Sequence, residues 1–456
     1  MKWKTQSKTF SAISFVVVIV ISLLSCSDTN DTSYTVVPSV VTDNRTDIAS
    51  FDFVDQNYQK GDILLLRLNR TGFGVEEVEV MFEATYNSYG ERLIFCKTID
   101  GLVVGRGDSG SPLLTQDGKV IGSLCYGFYN VNHQFVARAI DDVLDVGTTV
   151  GEKTTSKKFE PIGLSYQFVG VDQEELDKFK KIAPPEFFKN KLVSAEAVSN
   201  RQHKYSKSNG PSDFEIPDEI IPGNSISVVE IRGTAIEYYA TGTISYMQDN
   251  FAYAFGHKYE DLGEIEKPVY LSKMTTLIES SEIAFKYSEI TNSYFGMLTH
   301  DEFEGIKIDT SKEAETFLVS STIKIGNVFE REDNHMVARG NLTSDSPYYT
   351  PYNLGGDPNY SEEEFFYSFL TTTYLLYRYL SREGFGDEDV IHMLGNIEIE
   401  FEETEPFYFS FSRSYLMKDH NVTLDEALST AIEEAIDWDT CEGHIKSVNF
   451  NVQVNH

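Results

Sequence analysis

A glycine-rich turn around Ser109 contains the first residues that could do chemistry. The stretch "GRGDSGSPLLTQDGKVIGSL", residues 105–124, places this serine between glycines and follows it with a proline and an apolar run. A serine hydroxyl is a poor nucleophile until a base accepts its proton and donors hold the developing oxyanion. Gly107 can adopt backbone angles closed to other residues, so the N–H groups of Gly107 and Ser109 could face one pocket. The same composition suits an ordinary turn, and the turn alone leaves both interpretations open.

His257 is the candidate base among the nine histidines of the chain. It lies in "AYAFGHKYEDLG", residues 252–263, where an aromatic strand runs into a glycine and then the histidine. The end of a strand is a rigid support, as a general base requires. The alternative is a turn histidine without a chemical role. No HExxH, no CxxC and no paired histidines at ligand spacing occur, and no glycine-rich loop fits a phosphate site, so we expect no metal and no cofactor.

The N-terminus has the pattern of a secretion signal. Three lysines precede the apolar residues 10–24, a run too short to span a membrane. The run ends in "LLSC", which is typical of a bacterial lipoprotein signal, so residues 1–25 are predicted to be removed and Cys26 to be lipidated. Residues 26–45 are polar and predict a flexible tether. Ser27, in place of an aspartate, favours the outer membrane of a bacterial cell envelope, with the membrane face left open.

Charge and cysteine content limit the partners of the mature chain. Removing three lysines and no acid with the signal peptide takes the formal net charge from −33 to −36. Such a surface repels nucleic acid and anionic head groups, so the expected membrane contact is the lipid on Cys26. The remaining cysteines, Cys96, Cys125 and Cys441, are odd in number and exclude a disulfide framework. A single bridge between Cys96 and Cys125 stays open.

The rest of the chain divides into four predicted regions. Short alternating strands separated by Gly, Asp and Asn turns predict a barrel or sandwich over residues 46–150 and a second β unit over residues 221–335. Residues 151–220 are predicted to be a helical and linker connector, and residues 336–456 a mixed α/β region. About 430 mature residues agree with more than one domain.

Three helices are predicted within these regions. One covers residues 172–182 in the connector. The other two cover residues 361–382 and 423–437 and each opens with a capping box. The fold class is therefore mainly β with an α/β C-terminal part.

Two separated motifs agree in detail with one protein family. They are "GDSGSPLLTQDGKVIGSLCYGF", followed by "ARAIDDVL", and "ATGTISYMQDNFAYAFGH", residues 240–257. On these motifs the chain resembles the SpoIVB-type serine peptidase family, a branch of the chymotrypsin-like clan. The resemblance covers about residues 55–150 and 220–330. Asp108 departs from the family pattern, which usually has methionine at this position.

The resemblance implies a fold and a set of roles. It implies two chymotrypsin-like β-barrels with the active site in the cleft between them, permuted because the serine precedes the histidine. Ser109 would be the nucleophile, His257 the general base, and the amides of Gly107 and Ser109 the oxyanion donors. Chain order does not exclude catalysis, because a triad is defined by geometry.

The third member of a triad is the point on which the sequence departs most from the family. The family's acid precedes the serine by a dozen or so residues, and the nearest candidate is Asp100, nine residues before Ser109. Asp261, four residues after His257, is the other candidate. A Ser–His dyad and a catalytically inactive relative are further alternatives, since loss of a triad acid typically costs about 10⁴ in rate.

These observations predict a lipid-anchored serine endopeptidase that hydrolyses peptide bonds of a protein or peptide substrate. The founding relatives are regulatory proteases, so the resemblance implies narrow specificity, with the C-terminal region selecting the substrate. The alternative is an inactive, peptidase-like lipoprotein that binds an envelope protein or peptide.

Overall fold

The computed structural model describes residues 47–148, 162–170, 216–339, 389–416 and 445–455, with short gaps, and scattered positions between 368 and 385. Several predicted features lie outside the described residues, namely the signal peptide, Cys26, the tether, Asp100, Cys441 and the helices at 172–182 and 423–437. Within the part that is described, no helix is both long enough and apolar enough to cross a bilayer.

The described chain is built mainly of β-strands. In chain order its elements are α1 (Phe51–Asn57), β1 (Ile63–Thr71), β2 (Gly74–Ser88), β3 (Glu91–Thr98), β4 (Pro112–Leu114), β5 (Val120–Phe128), β6 (Val131–Ala139), α2 (Ile140–Leu144), β7 (Ser165–Val169), β8 (Ser225–Gly233), β9 (Glu237–Gln248), β10 (Phe251–Ala254), β11 (Gly263–Ile278), β12 (Phe285–Glu302), β13 (Gly305–Asp309), β14 (Thr316–Ile325), β15 (Phe329–Ala338), β16 (Val390–Phe401), β17 (Phe407–Leu416) and β18 (Ile445–Asn455).

The first six strands close into an antiparallel barrel in the order β1-β2-β3-β6-β5-β4. Along β1 the side chains of Leu64, Leu66 and Leu68 are fully buried, while Leu65 between them is only half-buried. This period-2 alternation turns one face of the strand into the barrel core. Ser109 lies in the connection from β3 to β4, so its turn begins and ends on barrel strands.

The second sheet contains a closed ring of antiparallel pairings. Strand β8 pairs with β11, β11 with β12, β12 with β13, β13 with β10, β10 with β9, and β9 again with β8. His257 follows β10 in the connection to β11. Each of the two candidate residues therefore sits on a turn anchored in its own closed set of strands.

The remaining strands extend this second sheet. Strand β15 joins β8, and β14, β18, β16 and β17 follow, with β14 and β18 parallel. Strand β7, within the segment predicted as a connector, pairs with β9. The described positions between 368 and 380 are helical, and Leu375, Leu376 and Tyr379 belong to the same hydrophobic core as these strands.

The prediction of a mainly β chain is confirmed, with a closed six-stranded antiparallel barrel and a second sheet. Cys96 and Cys125 are both free thiols in the structure. They belong to different clusters of buried residues, which explains the absence of a bridge between them. Burial raises the pKa of Cys125 to about 12, and it also raises the pKa of Cys96.

Replacement of Leu66 tests which face of β1 forms the barrel core. Leu66→Ala should lower the free energy of unfolding by about 3 kcal/mol, because it removes a fully buried side chain and leaves a cavity. Leu65→Ala, the same change on the half-buried face, should cost less than half as much. Urea unfolding followed by circular dichroism measures both, and equal losses would contradict the register of this strand.

Candidate active site

The carboxylate of Asp108 organises the serine turn. Asp108 is fully buried, and its oxygens accept hydrogen bonds from the Gly105 N–H at 2.9 Å and from the Arg70 guanidinium at 2.9 and 3.0 Å. The Lys286 ammonium lies 3.2 Å from the same carboxylate. Arg70 comes from β1 and Lys286 from β12, so the side chain of Asp108 links the barrel to the second sheet.

Lys286 is a fully buried cation beneath the turn. Burial lowers its pKa to about 8, and the Asp108 carboxylate opposes this fall by favouring the charged form. The backbone nearby is also paired across the two sheets, because Lys286 N–H donates to the Arg106 carbonyl at 2.9 Å. The Asp108 carboxylate thus has an ion-pair partner supplied by the second sheet.

Thr243, on β9, connects the serine turn to the histidine turn. Its N–H donates to the Ser109 carbonyl at 2.9 Å, and its hydroxyl donates to the Gly107 carbonyl at 2.9 Å. Its own carbonyl accepts the Phe255 N–H at 3.1 Å. Three polar groups of one residue therefore hold both turns.

Gly110 shows how closely the two turns approach. Its φ is +94°, and a Cβ at this position would lie 1.9 Å from the Thr243 carbonyl oxygen and 2.6 Å from the Phe255 nitrogen. Gly110 N–H donates to the Leu124 carbonyl at 2.7 Å, and a Cβ on Gly256 would lie 2.9 Å from that same oxygen. Only glycine fits at these two places, and the two turns are direct neighbours.

The imidazole of His257 is held in one tautomer. His257 is 3% exposed, and its Nδ1 lies 2.7 Å from the Lys258 carbonyl oxygen. A carbonyl can only accept, so Nδ1 carries the proton and Nε2 presents its lone pair. Burial lowers the pKa of His257 to about 4, so the ring is neutral at pH 7.

Two further buried charges position the histidine turn. The Asp301 carboxylate accepts the backbone N–H groups of Tyr259, Glu260 and Leu262 at 2.6, 2.7 and 3.1 Å. Burial raises the pKa of Asp301 to about 7, and these donors oppose that rise. Arg138, fully buried on β6, donates from Nε to the Gly256 carbonyl at 3.1 Å. A side chain of the barrel is thus hydrogen-bonded to Gly256, the residue before His257.

The side-chain atoms that a nucleophile and a base would use lack hydrogen-bond partners among the described residues. Ser109 Oγ and His257 Nε2 are both buried and unpaired there. A buried polar atom without a partner is costly and requires an explanation, of which a catalytic role is one. Two of them on adjoining turns fit a nucleophile and a base.

The oxyanion donors differ from each other. No described residue accepts a hydrogen bond from the Ser109 N–H, whereas the Gly107 N–H donates to the Gly163 carbonyl at 3.2 Å. Gly107 has a φ of +84°, as its role in a tight turn requires. One of the two predicted donors is therefore already engaged by the chain itself.

Of the two acid candidates, the structure describes only Asp261, and it makes no hydrogen bond to the imidazole. Asp100 lies outside the described residues. Asp261 accepts a hydrogen bond from Lys258 Nζ at 2.7 Å, and the atom that His257 Nδ1 contacts is the Lys258 carbonyl. In the described part of the chain, a backbone carbonyl orients the ring where a triad would use a carboxylate.

Sequence reasoning did not identify Arg70, Arg138, Lys286, Thr243 or Asp301. One signal was present, because Arg138 and Lys286 interrupt the apolar strands "HQFVARAI" and "AFKYSEI" at positions that turn inward. A charge on the buried phase of a strand requires a buried partner. The identity of that partner was not visible, since it comes from a distant segment.

Comparison of the chain with protein-family models, with curated proteins and with solved structures finds no match. Among the residues that the structure describes, no group of three or more His, Cys, Asp or Glu side chains could hold a metal ion.

Removal of the Asp108 charge should destabilise the whole protein at pH 7. Asp108→Asn leaves the charges of Arg70 and the fully buried Lys286 without their carboxylate, and we expect a loss of about 3 kcal/mol in the free energy of unfolding. The control is Asp117→Asn, which removes a solvent-exposed ion pair with Lys119 and should leave the urea midpoint unchanged. Similar midpoints for both variants would contradict a structural role for Asp108.

Proposed function

We propose that this chain is a serine endopeptidase that hydrolyses peptide bonds of a protein or peptide substrate. The observation that carries the proposal is the pair of buried, unpaired atoms, Ser109 Oγ and His257 Nε2, on turns that Thr243 and Leu124 bring together. Nucleophilic catalysis needs a serine hydroxyl and a neutral imidazole whose Nε2 lone pair is free. No hydrogen bond joins the two atoms in this structure, so the mechanism requires Ser109 Oγ and His257 Nε2 to come within hydrogen-bond distance when a substrate binds.

The proposed mechanism has two half-reactions. In the first, Ser109 Oγ attacks the substrate carbonyl while His257 Nε2 takes the serine proton and passes it to the leaving amine. In the second, His257 draws a proton from water, the hydroxide attacks the acyl-enzyme, and the proton returns to Ser109. The Ser109 N–H would stabilise the oxyanion in both steps, joined by the Gly107 N–H once it is released from Gly163. The Lys258 carbonyl keeps the imidazole in the tautomer that accepts at Nε2.

The same proposal includes the finer description of the fold. The closed barrel β1–β6 and the ring formed by β8–β13 would be two chymotrypsin-like barrels in permuted order, with the serine turn on the first and the histidine turn on the second. The two sequence motifs that resemble the SpoIVB-type family lie on these turns, which supports the assignment. Cys26 would carry the lipid that anchors the enzyme to a bacterial envelope membrane, as the "LLSC" signal predicts.

One pair of observations favours a second candidate function, a non-catalytic protein that binds a peptide in the same cleft. The Gly107 N–H is engaged by the Gly163 carbonyl, and the Asp261 carboxylate is engaged by Lys258. A binder would need neither an oxyanion donor nor an acid beside the histidine.

Labelling with a fluorophosphonate probe separates the two candidates. The wild-type chain should be labelled, Ser109→Ala should not, and His257→Ala should react at least about 100-fold more slowly because the base is lost. Two matched controls are available. Ser111→Ala removes a neighbouring buried hydroxyl that also lacks a described partner, and His392→Ala removes an exposed histidine. Both should label like the wild type, and labelling that survives Ser109→Ala would contradict the assignment.

The rate of labelling should depend on pH through His257. With a pKa near 4, the base stays unprotonated from pH 8 down to about pH 5, so the rate constant should be flat there. Below pH 4 it should fall about tenfold per unit. An ordinary histidine would already cause a decline below about pH 6.5.

Stability must be followed in the same pH range. The unfolded chain binds a proton on this histidine below about pH 6.5 and the folded chain does not until about pH 4, so the free energy of unfolding falls as the pH falls between these values. Circular dichroism at each pH identifies any loss of fold. A decline in the labelling rate near pH 6.5, while the protein is still folded, would contradict the buried, neutral imidazole.

A further inference from the structure

We propose that residues 162–164 occupy the substrate-binding edge beside Ser109 as an internal pseudosubstrate, which a peptide must displace to reach the site. This inference rests on the proposed function for the chemistry at Ser109, but its binding step can be tested without any catalysis. It assigns both a regulatory segment and a class of substrate.

The edge of β5 next to the serine turn offers one acceptor to an incoming peptide. Strand β4 pairs with β5 only as far as Ser123. The next residue, Leu124, bonds to the serine turn. Its N–H donates to the Ser111 carbonyl, and its own carbonyl accepts the Gly110 N–H. The pairing of β5 with β6 then skips Cys125. The Cys125 carbonyl is therefore left for another segment, directly beyond the turn that presents the serine.

Ile162 takes this acceptor. Its N–H donates to the Cys125 carbonyl at 2.9 Å, and the next residue, Gly163, places its carbonyl on the Gly107 N–H at 3.2 Å. A peptide bound for cleavage by Ser109 would need the same kinds of contact, a backbone N–H on the strand edge and a carbonyl at the oxyanion donors. The segment thus makes two of the backbone hydrogen bonds expected of a substrate.

The side chain of Ile162 indicates which residue the edge accepts. Ile162 is 4% exposed and belongs to the hydrophobic core of the barrel. A Cβ on Gly127 would lie 3.1 Å from Ile162 Cγ1, so the glycine makes room for the branched side chain. Gly163 follows with a φ of +85°, a conformation that favours glycine. The substrate class is a peptide in which a branched apolar residue precedes glycine.

The segment leads directly into a strand of the second sheet. After Leu164 the chain enters β7, which pairs with β9 along five residues, and Ser165 Oγ donates to the Lys286 carbonyl at 2.6 Å. At the site itself, the contacts to described residues are two backbone hydrogen bonds and the burial of the Ile162 and Leu164 side chains, none of which belongs to the pairing of β7 with β9. Withdrawal of residues 162–164 can therefore occur while β7 keeps its place in the sheet.

Gly163→Ala weakens the segment without introducing a clash. A Cβ there would meet the Arg106 side chain at 3.6 Å, which is ordinary contact, so the substitution acts through the strain of an alanine at positive φ. That strain should shift the segment toward release by about fivefold or more. The matched control is Gly118→Ala, which imposes the same strain at a φ of +87° in the β4–β5 turn, with nothing within 4 Å.

The test measures binding of a fluorescent peptide with the sequence of residues 160–167, EPIGLSYQ, by anisotropy. The full chain in detergent is used, in a Ser109→Ala background so that nothing is cleaved. The Gly163→Ala variant should bind at least about fivefold more tightly than either the parent or Gly118→Ala. The same peptide carrying Ile162→Asp should bind at least about tenfold more weakly. Ile162→Ala in the protein removes part of the anchoring side chain and should also tighten binding of the peptide. This variant provides the test if Gly163→Ala does not fold.

Equal affinities for the parent, Gly163→Ala and Gly118→Ala would overturn the pseudosubstrate, as would the absence of any binding. The proposed endopeptidase activity is tested separately, by fluorophosphonate labelling of the wild-type and Gly163→Ala chains that retain Ser109. Labelling at equal rates in the wild type and Gly163→Ala, with equal peptide affinities, retains the endopeptidase and overturns the pseudosubstrate. Labelling of neither chain, with tighter peptide binding by Gly163→Ala, overturns the endopeptidase and retains the occupied edge.

Discussion

The buried carboxylate of Asp108 is the constraint on which the candidate site depends. A carboxylate removed from water is costly unless charge partners and hydrogen bonds replace the water. Here one partner, Arg70, comes from β1 of the barrel and the other, Lys286, comes from β12 of the second sheet. The serine turn is therefore stable in this form only when both sheets are in place, and the position of Ser109 depends on the packing of the barrel against the second sheet.

The histidine turn depends on the same assembly from the opposite direction. Its ring follows β10 of the second sheet, but Arg138 of the barrel holds the carbonyl of Gly256 beside it. Thr243 then bonds to both turns. Because each turn is fixed by residues of the other sheet, the geometry of the pair is set by packing and by buried hydrogen bonds, which is how a preorganised site is held.

Residues 162–164 lie on the β5 edge next to this rigid site, and under our proposal they leave it when a peptide binds. Two neutral backbone hydrogen bonds contribute on the order of 1 kcal/mol each. A peptide with a branched apolar residue would replace both these bonds and the buried Ile162 side chain, so the exchange is within reach of ordinary binding energies. The turns that hold Ser109 and His257 make many more contacts and would not need to change. Under the two proposals, a fixed pair of side chains, Ser109 and His257, lies next to a strand edge whose occupant can be exchanged.

The sequence by itself determined the mainly β character and drew attention to the turns around Ser109 and His257, because strand patterning and glycine conformation are local properties. The inward face of β1 was not visible in the continuous apolar run Ile63–Leu66. It also singled out Ser109 and His257 by their surroundings within a dozen residues. Only the tertiary structure decided that Asp108 pairs with Arg70 and Lys286, that a carbonyl orients the imidazole, and that Gly163 engages Gly107. These contacts join segments dozens to nearly two hundred residues apart or depend on the exact path of a turn. The barrel order β1-β2-β3-β6-β5-β4 likewise places β3 beside β6, and no local pattern encodes which distant strand will satisfy a given edge or charge.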